Sequence, residues 1–253
     1  MENVAGRLGL DTPPGTLGTI RNAAVLLHLL SEGPAYQPLT DLAERAGLTA
    51  PTVHRLLRSL MQFNLVEQDP RSSRYGLGPE LVRLSACYLD RLPALSALNP
   101  YLVQLRNVTK ATVQVAALVG TTVVYVDRVD GEDNSGLFRD RRRADIAVRT
   151  AAGRVLLARA APSRRDEPER MLGLSISEEE WQQWETSAYL CTRADDHTSI
   201  TEIAVPVEDS AGHTLVCLSA SAARDLIAQE GEDTIAQHLL RAASSIRGVL
   251  GHG

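Results

Sequence analysis

The stretch 39–60 constrains the fold more than any other part of the chain. Leu42, Ala43 and Ala46 share one helical face, Gly47 interrupts the pattern, and Leu48, Val53, Leu56, Leu57 and Leu60 open a second face. Two short helices that cross steeply over a tight turn need a small side chain at the crossing, which Ala43 supplies. They also need a turn residue tolerant of positive φ, which Gly47 supplies. Thr40 is expected to cap the first of these helices and Thr49 the second, with Pro51 accommodated in the first turn. Upstream, Ile20, Ala23, Ala24, Leu27 and Leu30 mark another amphipathic helix, stopped near Gly33 and Pro34. Downstream, residues 65–68 and 74–77 flank the polar turn 69–73 and read as a hairpin. Three helices followed by a hairpin make a winged helix-turn-helix.

The outward face of the helix opening at Thr49 carries Thr52, His54, Arg55, Arg58, Ser59 and Gln62, and no Asp or Glu occurs between Arg45 and Val66. A helix that enters the major groove must avoid like charge with phosphate and must offer hydrogen bonds to base edges. Thr52, His54 and Arg55, near the helix start, are the candidates for reaching bases, with Thr49 on the same DNA-binding face. Arg58, Ser59 and the hairpin's Arg71 and Arg74 are the candidates for phosphate. The whole chain has a formal net charge of −5, which excludes a protein that coats nucleic acid indiscriminately. Double-stranded DNA would have to be met by this local face. The plainer alternative is a small helical bundle with a solvated face; the turn spacing, the acid-free helix and the hairpin weigh against it.

With 253 residues the chain can bury one large core or two smaller ones. It has no apolar run near the roughly 20 residues needed to span a bilayer, and its first residues lack a signal-peptide pattern. A soluble cytoplasmic protein without a membrane partner is expected. Cys87, Cys191 and Cys217 are an odd, widely spaced set, which argues against a disulfide framework. The organisation expected is a flexible arm over 1–16, a DNA-binding domain over 17–78, a linker helix over 79–93 and an effector-binding domain over 94–253. In that last part, strands are expected at 112–119, 123–129, 203–207 and 215–220. Helices are expected at 100–109, 154–161, after Ser177 with Trp181 and Trp184, and at 233–250. The pattern is that of an α+β domain around a mostly antiparallel sheet.

A ligand site can be sketched in the second half. Thr150 can cap the helix after it, leaving N–H groups free around Ala151, Ala152 and Gly153, and such a helix start favours a carboxylate. Cys217, Ser219 and Ser221 alternate along a strand, so all three face one side. The alternative is that these serines only satisfy backbone groups at a strand end. Arg139, Arg141, Arg142 and Arg143 form a basic cluster that reads as a solvated loop before it reads as an anion site.

The motifs together resemble the IclR family of bacterial transcriptional regulators. The resemblance rests on Thr19-Ile20, Leu39-Thr40-Asp41-Leu42-Ala43-Glu44-Arg45-Ala46-Gly47-Leu48, Thr52-Val53-His54-Arg55-Leu56-Leu57-Arg58-Ser59-Leu60 and Tyr75-Gly76-Leu77-Gly78-Pro79. Weaker matches follow in order at Val123–Val129, Thr150-Ala151-Ala152-Gly153-Arg154, Ile203-Ala204-Val205-Pro206-Val207 and Leu218-Ser219-Ala220-Ser221. Asn22 departs from a basic residue frequent in the family's first helix. The resemblance implies a GAF-like effector domain, a homodimer or homotetramer, and a repressor whose operator affinity responds to a small organic acid. Members that bind small acids carry a Cys before the penultimate strand and an Asp about ten residues earlier. Here Glu202 takes the Cys position, and Asp195 or Asp196 is left for the acidic role. That departure turns the expectation from the smallest acids toward a larger, aromatic carboxylic acid.

Two rival functions remain. A metal-dependent enzyme would need a constellation that the scattered histidines do not form; a zinc site from Cys191, His197 and His213 fits no strong ligand spacing. No catalytic residue, metal or cofactor is therefore expected. A ligand sensor acting through protein contacts alone would leave the acid-free stretch after Arg45 without a purpose.

Overall fold

The computed structural model of the chain describes residues 17–132, 143–193 and 200–248. The chain divides into two compact units, with the main division between Leu89 and Asp90; Arg170–Leu172 group with the first unit.

The first unit holds α1 (Gly18–Ser31), α2 (Leu39–Ala46), α3 (Ala50–Gln62), the hairpin strands β1 (Val66–Gln68) and β2 (Tyr75–Leu77), and α4 (Glu80–Leu89). Its core draws one face from each of the first three helices: Leu26 and Leu29 from α1, Leu42 from α2, and Val53 and Leu57 from α3 are almost wholly buried. Each such side chain contributes about 1.5–3 kcal/mol on burial. Gly47 ends α2 in the left-handed region (φ 64°), and the next N–H, of Leu48, returns to the Ala43 carbonyl at 3.0 Å. A side chain at Gly47 would strain that conformation, so the turn between α2 and α3 depends on glycine.

The caps differ from expectation. Helix α2 begins at Leu39 behind Pro38, so Thr40 sits inside the first turn with its hydroxyl 3.3 Å from Asp41 Oδ1. Proline's fixed φ starts the helix without a side-chain cap. Thr49 is the N-cap residue of α3, but its hydroxyl meets the Thr52 hydroxyl at 2.9 Å rather than a backbone N–H. A residue outside the expected core, Gln37, ties the unit together. It is buried, exchanges backbone hydrogen bonds with Tyr75 of β2 at 2.8 Å, donates from Nε2 to the Leu29 and Glu32 carbonyls, and accepts from Arg45 at 2.7 Å.

The second unit is built on a six-stranded antiparallel sheet in the order β5-β4-β3-β8-β7-β6. The strands are β3 (Thr112–Val119), β4 (Thr122–Val129), β5 (Ala144–Ile146), β6 (Leu190–Arg193), β7 (Ile200–Glu208) and β8 (Thr214–Ala223). The helices are α5 (Pro93–Thr109), α6 (Ala151–Ala158), α7 (Glu167–Leu172), α8 (Glu178–Thr186), α9 (Arg224–Glu230) and α10 (Glu232–Arg247). Strand alternation splits the core into two layers. Val113, Val115, Val205 and Leu218 pack with Leu98 and Leu102 of α5 and with Ile235 and Leu239 of α10. Ala116, Ala204 and Cys217 point the other way, to Val155 of α6 and to Trp181 and Trp184 of α8. Ser177 starts α8 with a capping box closed by Glu180.

Helix α5 begins at Pro93 and carries Pro100 within it, whereas a start near 100 is expected from the sequence. Proline at the first helical position is a start signal, and the reading as a stop overlooks it. Helix α6 opens at Ala151, three residues ahead of the expected 154–161 segment. The edge strands β5 and β6 and the short helices α7 and α9 are absent from the expectation; three to seven residues give too little periodicity to read.

Leu57→Ala is expected to cost about 2–5 kcal/mol in urea unfolding of this chain, since Leu57 is fully buried. Arg55→Ala, two residues away on the solvent side, should change stability by less than about 0.5 kcal/mol.

Candidate DNA interface and ligand site

Helix α3 shows two opposed faces. Val53, Leu56, Leu57 and Leu60 are buried, while Thr49, His54, Arg55, Arg58 and Ser59 are exposed and Thr52 is half-buried. Ser59 donates to the Arg55 carbonyl at 3.0 Å, which leaves its oxygen available to accept. Arg71 and Arg74 are exposed on the hairpin that follows. Among the described residues, Arg55, Arg58, Arg71 and Arg74 take part in no ion pair. Arg45, by contrast, is held by Glu32 at 2.9 Å and by Gln37. At the hairpin turn Asp69 accepts from the Ser72 hydroxyl and the Arg71 N–H, and these bonds hold its carboxyl below the usual range. That acid therefore serves to shape the turn.

The second unit gathers a buried polar set beneath the start of α6. Thr150, the N-cap residue, accepts from the Gly153 N–H at 3.0 Å. Gly153 is required there, because a Cβ would lie 2.2 Å from the Ala147 carbonyl oxygen. The register places Thr192, Glu202 and Ser221 side by side on β6, β7 and β8, and Ala204, Ser219 and Gln114 side by side on β7, β8 and β3. Glu202 is only 4% exposed. Its Oε2 accepts from the Ala151 N–H at 2.8 Å and the Ala152 N–H at 3.4 Å, and its Oε1 accepts from the Tyr125 hydroxyl at 2.8 Å. The Thr192 hydroxyl also accepts from Ala151 N–H, at 3.0 Å. Ser221 donates to Gln114 Oε1 at 3.3 Å. The Ser219 hydroxyl is buried with no hydrogen-bond partner among the described residues.

The N–H groups expected to be free at Ala151, Ala152 and Gly153 are therefore engaged. A helix start attracts an anion, and here β7 supplies one from within the chain. Glu202 is hydrogen-bonded rather than bare, so its burial is compensated by three donors. Asp195 and Asp196 lie outside the described residues, as do Arg139, Arg141 and Arg142. Tyr125, Thr192 and Gln114 join the site without having been legible as members; only their strand registers bring them under α6.

Residues 19–70 match the IclR helix-turn-helix domain, and residues 86–247 match the bacterial transcriptional regulator IclR C-terminal domain. The chain belongs to the IclR family. It is 34% identical over 140 residues to the glycerol operon regulatory protein of Streptomyces coelicolor, a stretch covering 55% of each protein. Matches to the first curated relatives span about half of those proteins' length. In fold, the chain superposes on the IclR transcriptional regulator of Alicyclobacillus acidocaldarius with a TM-score of 0.71, at 24% identity, covering 92% of this chain and 98% of that one. It superposes on an IclR homologue of Microbacterium hydrocarbonoxydans, crystallised with 4-hydroxybenzoate, with a TM-score of 0.69 at 19% identity, covering 91% and 98%. The winged helix-turn-helix and the antiparallel-sheet effector domain are those of the family.

A cleft of about 530 Å³ opens elsewhere in the second unit, lined among others by Arg154, Glu180, Trp184, Tyr189, Cys191 and Glu232. Among the described residues, none of those expected to bind an effector lines it. No group of three or more potential metal ligands occurs among the described residues; His197 lies outside them. All three cysteines are free. No helix among the described residues is long and apolar enough to cross a membrane.

Burial, and then the charge of Glu232, pushes the Cys191 thiol up to about 12. Burial, and then the charge of Glu202, raises that of Cys217 well above the ordinary range. The thiolate is the nucleophile, so iodoacetamide at pH 8 should leave both unmodified in the native protein and label both after unfolding in urea, read by peptide mass spectrometry.

Proposed function

We propose that this chain is a sequence-specific DNA-binding transcriptional repressor, active as a homodimer or homotetramer in the cytoplasm and without enzymatic activity. The observation that carries the reading is the exposed face of α3, acid-free and bearing Arg55 and Arg58 outside any ion pair, followed by a hairpin with Arg71 and Arg74 equally unencumbered. Guanidinium groups held out to solvent on a docked helix suit phosphate and guanine edges alike. Thr49, Thr52, His54 and Arg55 meet bases in the major groove; Arg58, Ser59, Arg71 and Arg74 meet phosphate. Residues 17–78 act as the DNA-binding domain, 79–93 as the linker helix and 94–253 as the effector domain; the arm expected over 1–16 lies outside the described residues.

A small-molecule effector binds beneath α6, where Thr150, Ala151, Ala152, Gly153, Glu202, Cys217, Ser219 and Ser221 meet; the acidic role expected of Asp195 or Asp196 falls outside the described residues. The complex of the Microbacterium hydrocarbonoxydans homologue with 4-hydroxybenzoate supports an aromatic acid as the class. Binding shifts the population between two spacings of the paired recognition helices. Half-sites about one helical turn apart, roughly 34 Å, then fit better or worse.

The test is a gel shift with DNA selected from a random pool, titrated with salt. Eight phosphate contacts in a dimer give a log–log slope near roughly −7, at about −0.9 for each. Arg55→Ala should relax base preference at one position of each half-site by about 1–3 kcal/mol, while Arg74→Ala should weaken all sequences alike and flatten the slope. A chain that selects no sequence from the pool is a sensor working through protein contacts, and the reading fails.

A further inference from the structure

The reading of the second unit as a small-molecule sensor leaves open what end of a ligand meets the start of α6. Three observations converge on the answer. First, the donors that would hold a ligand carboxylate are taken. The Ala151 and Ala152 N–H groups donate to Glu202 Oε2, and the Gly153 N–H donates to Thr150. Second, the anion that takes them belongs to the sheet. Glu202 is the third residue of β7, between Thr192 and Ser221 of the neighbouring strands, and its second oxygen is held by Tyr125 from β4. Four elements thus converge on one buried carboxylate. Third, a buried hydroxyl close by is unmatched: Ser219, wholly buried, lies diagonal to Glu202 on the same face of the sheet and has no partner among the described residues. Buried polar groups are nearly always paired, so this hydroxyl keeps hydrogen-bonding capacity for a guest, water or ligand, beside Glu202.

We propose that Glu202 is the resident anion of the effector site: its carboxylate fills the position that a ligand carboxylate would take at the start of α6. The ligand of this chain then meets the site through O–H or N–H donors, not through an acid group. The proposal rests on the sensor reading of this domain and specifies the chemistry of its ligand. The free capacity on this face is a hydroxyl at Ser219 and the remaining lone pairs of Glu202, whose oxygens together have about four acceptor positions. Such a surface accepts from a polyol, a phenol or an ammonium. A second carboxylate brought beside Glu202 would find like charge and no free helix N–H. An acid ligand remains compatible only if its acid group lies at its far end.

The experiment removes the resident anion and offers a replacement. Melting temperatures of the full chain and of Glu202→Ala are compared in sodium acetate or propionate and in sodium chloride of equal ionic strength. The wild type should melt alike in both salts. Glu202→Ala should melt lower than wild type and rise by about 3–6 °C when acetate reaches ten times its Kd. Should Glu202→Ala be recovered only from inclusion bodies, refolding by dialysis replaces the melt; recovery that depends on acetate supports the proposal, and recovery that is equal or nil in both salts overturns it. A wild type stabilised by acetate as strongly as the variant also overturns it. On the ligand side, millimolar erythritol and ethanolamine probe an uncharged hydroxyl and an ammonium. At least one should raise the melting temperature of the wild type, and the rise should vanish in Glu202→Gln and in Ser219→Ala; a wild type blind to both contradicts the donor assignment. Sequence-specific DNA binding, measured on the same preparation without any small molecule, separates a failure here from a failure of the regulator reading.

Discussion

Helix α3 can present only one face to a partner, because the other is committed to the core. Val53, Leu56, Leu57 and Leu60 lock it against α1 and α2, so its rotation about its own axis is fixed before any DNA arrives. That rotation decides which side chains project outward. With a period of 3.6 residues, burying those four positions leaves Thr52, Arg55, Ser59 and their neighbours outside. The angle at which α3 stands to α2 is set in turn by the left-handed conformation at Gly47. Gln37 then joins α1, Arg45 and β2 by hydrogen bonds, which positions the hairpin in the same unit. Recognition in this half is a rigid presentation of side chains by a small core.

The second half follows another logic. Its sheet is buried on both faces, and the polar residues on the α6 side form a connected set rather than scattered exceptions. The start of a helix carries partial positive charge and unpaired N–H groups, so it needs an anion from somewhere. In this chain the need is met internally by Glu202. With Glu202 as the proposed resident anion, a carboxylate at this one strand position sets what the neighbouring site accepts, with no change of fold. Family membership sets the architecture; the chemistry of the ligand is decided by the side chains on that face.

The helix-turn-helix was legible because its signals are local: a periodic apolar face, an alanine at the crossing, a glycine in the turn and no acid on the exposed side within about twenty residues. The common face of Cys217, Ser219 and Ser221 was legible for the same reason, from period two. The role of Glu202 was only half legible. Its strand position could be read, but its partners are at the start of α6, about fifty positions away in sequence, and in Tyr125, further still. Gln37 escaped notice because a lone polar residue in a loop carries no pattern. Thr40 looked like a cap because its residue type is right, whereas Pro38 had already started the helix. Pro93 read as a stop although proline both ends helices and begins them. For Glu202 and Gln37 the decisive contact is tertiary, and a single sequence does not carry it; at Pro38 and Pro93 the signal is local but has two readings.

The most direct test of the central claim, that the exposed face of α3 enters the major groove, is methylation interference on DNA selected by the protein. Methylation of guanine N7 projects into the major groove, and of adenine N3 into the minor groove. Guanine N7 methylation at the core of each half-site should reduce binding by about tenfold or more, and Arg55→Ala should remove that sensitivity. Binding that is indifferent to N7 methylation everywhere, or blocked only by minor-groove methylation, would contradict the account.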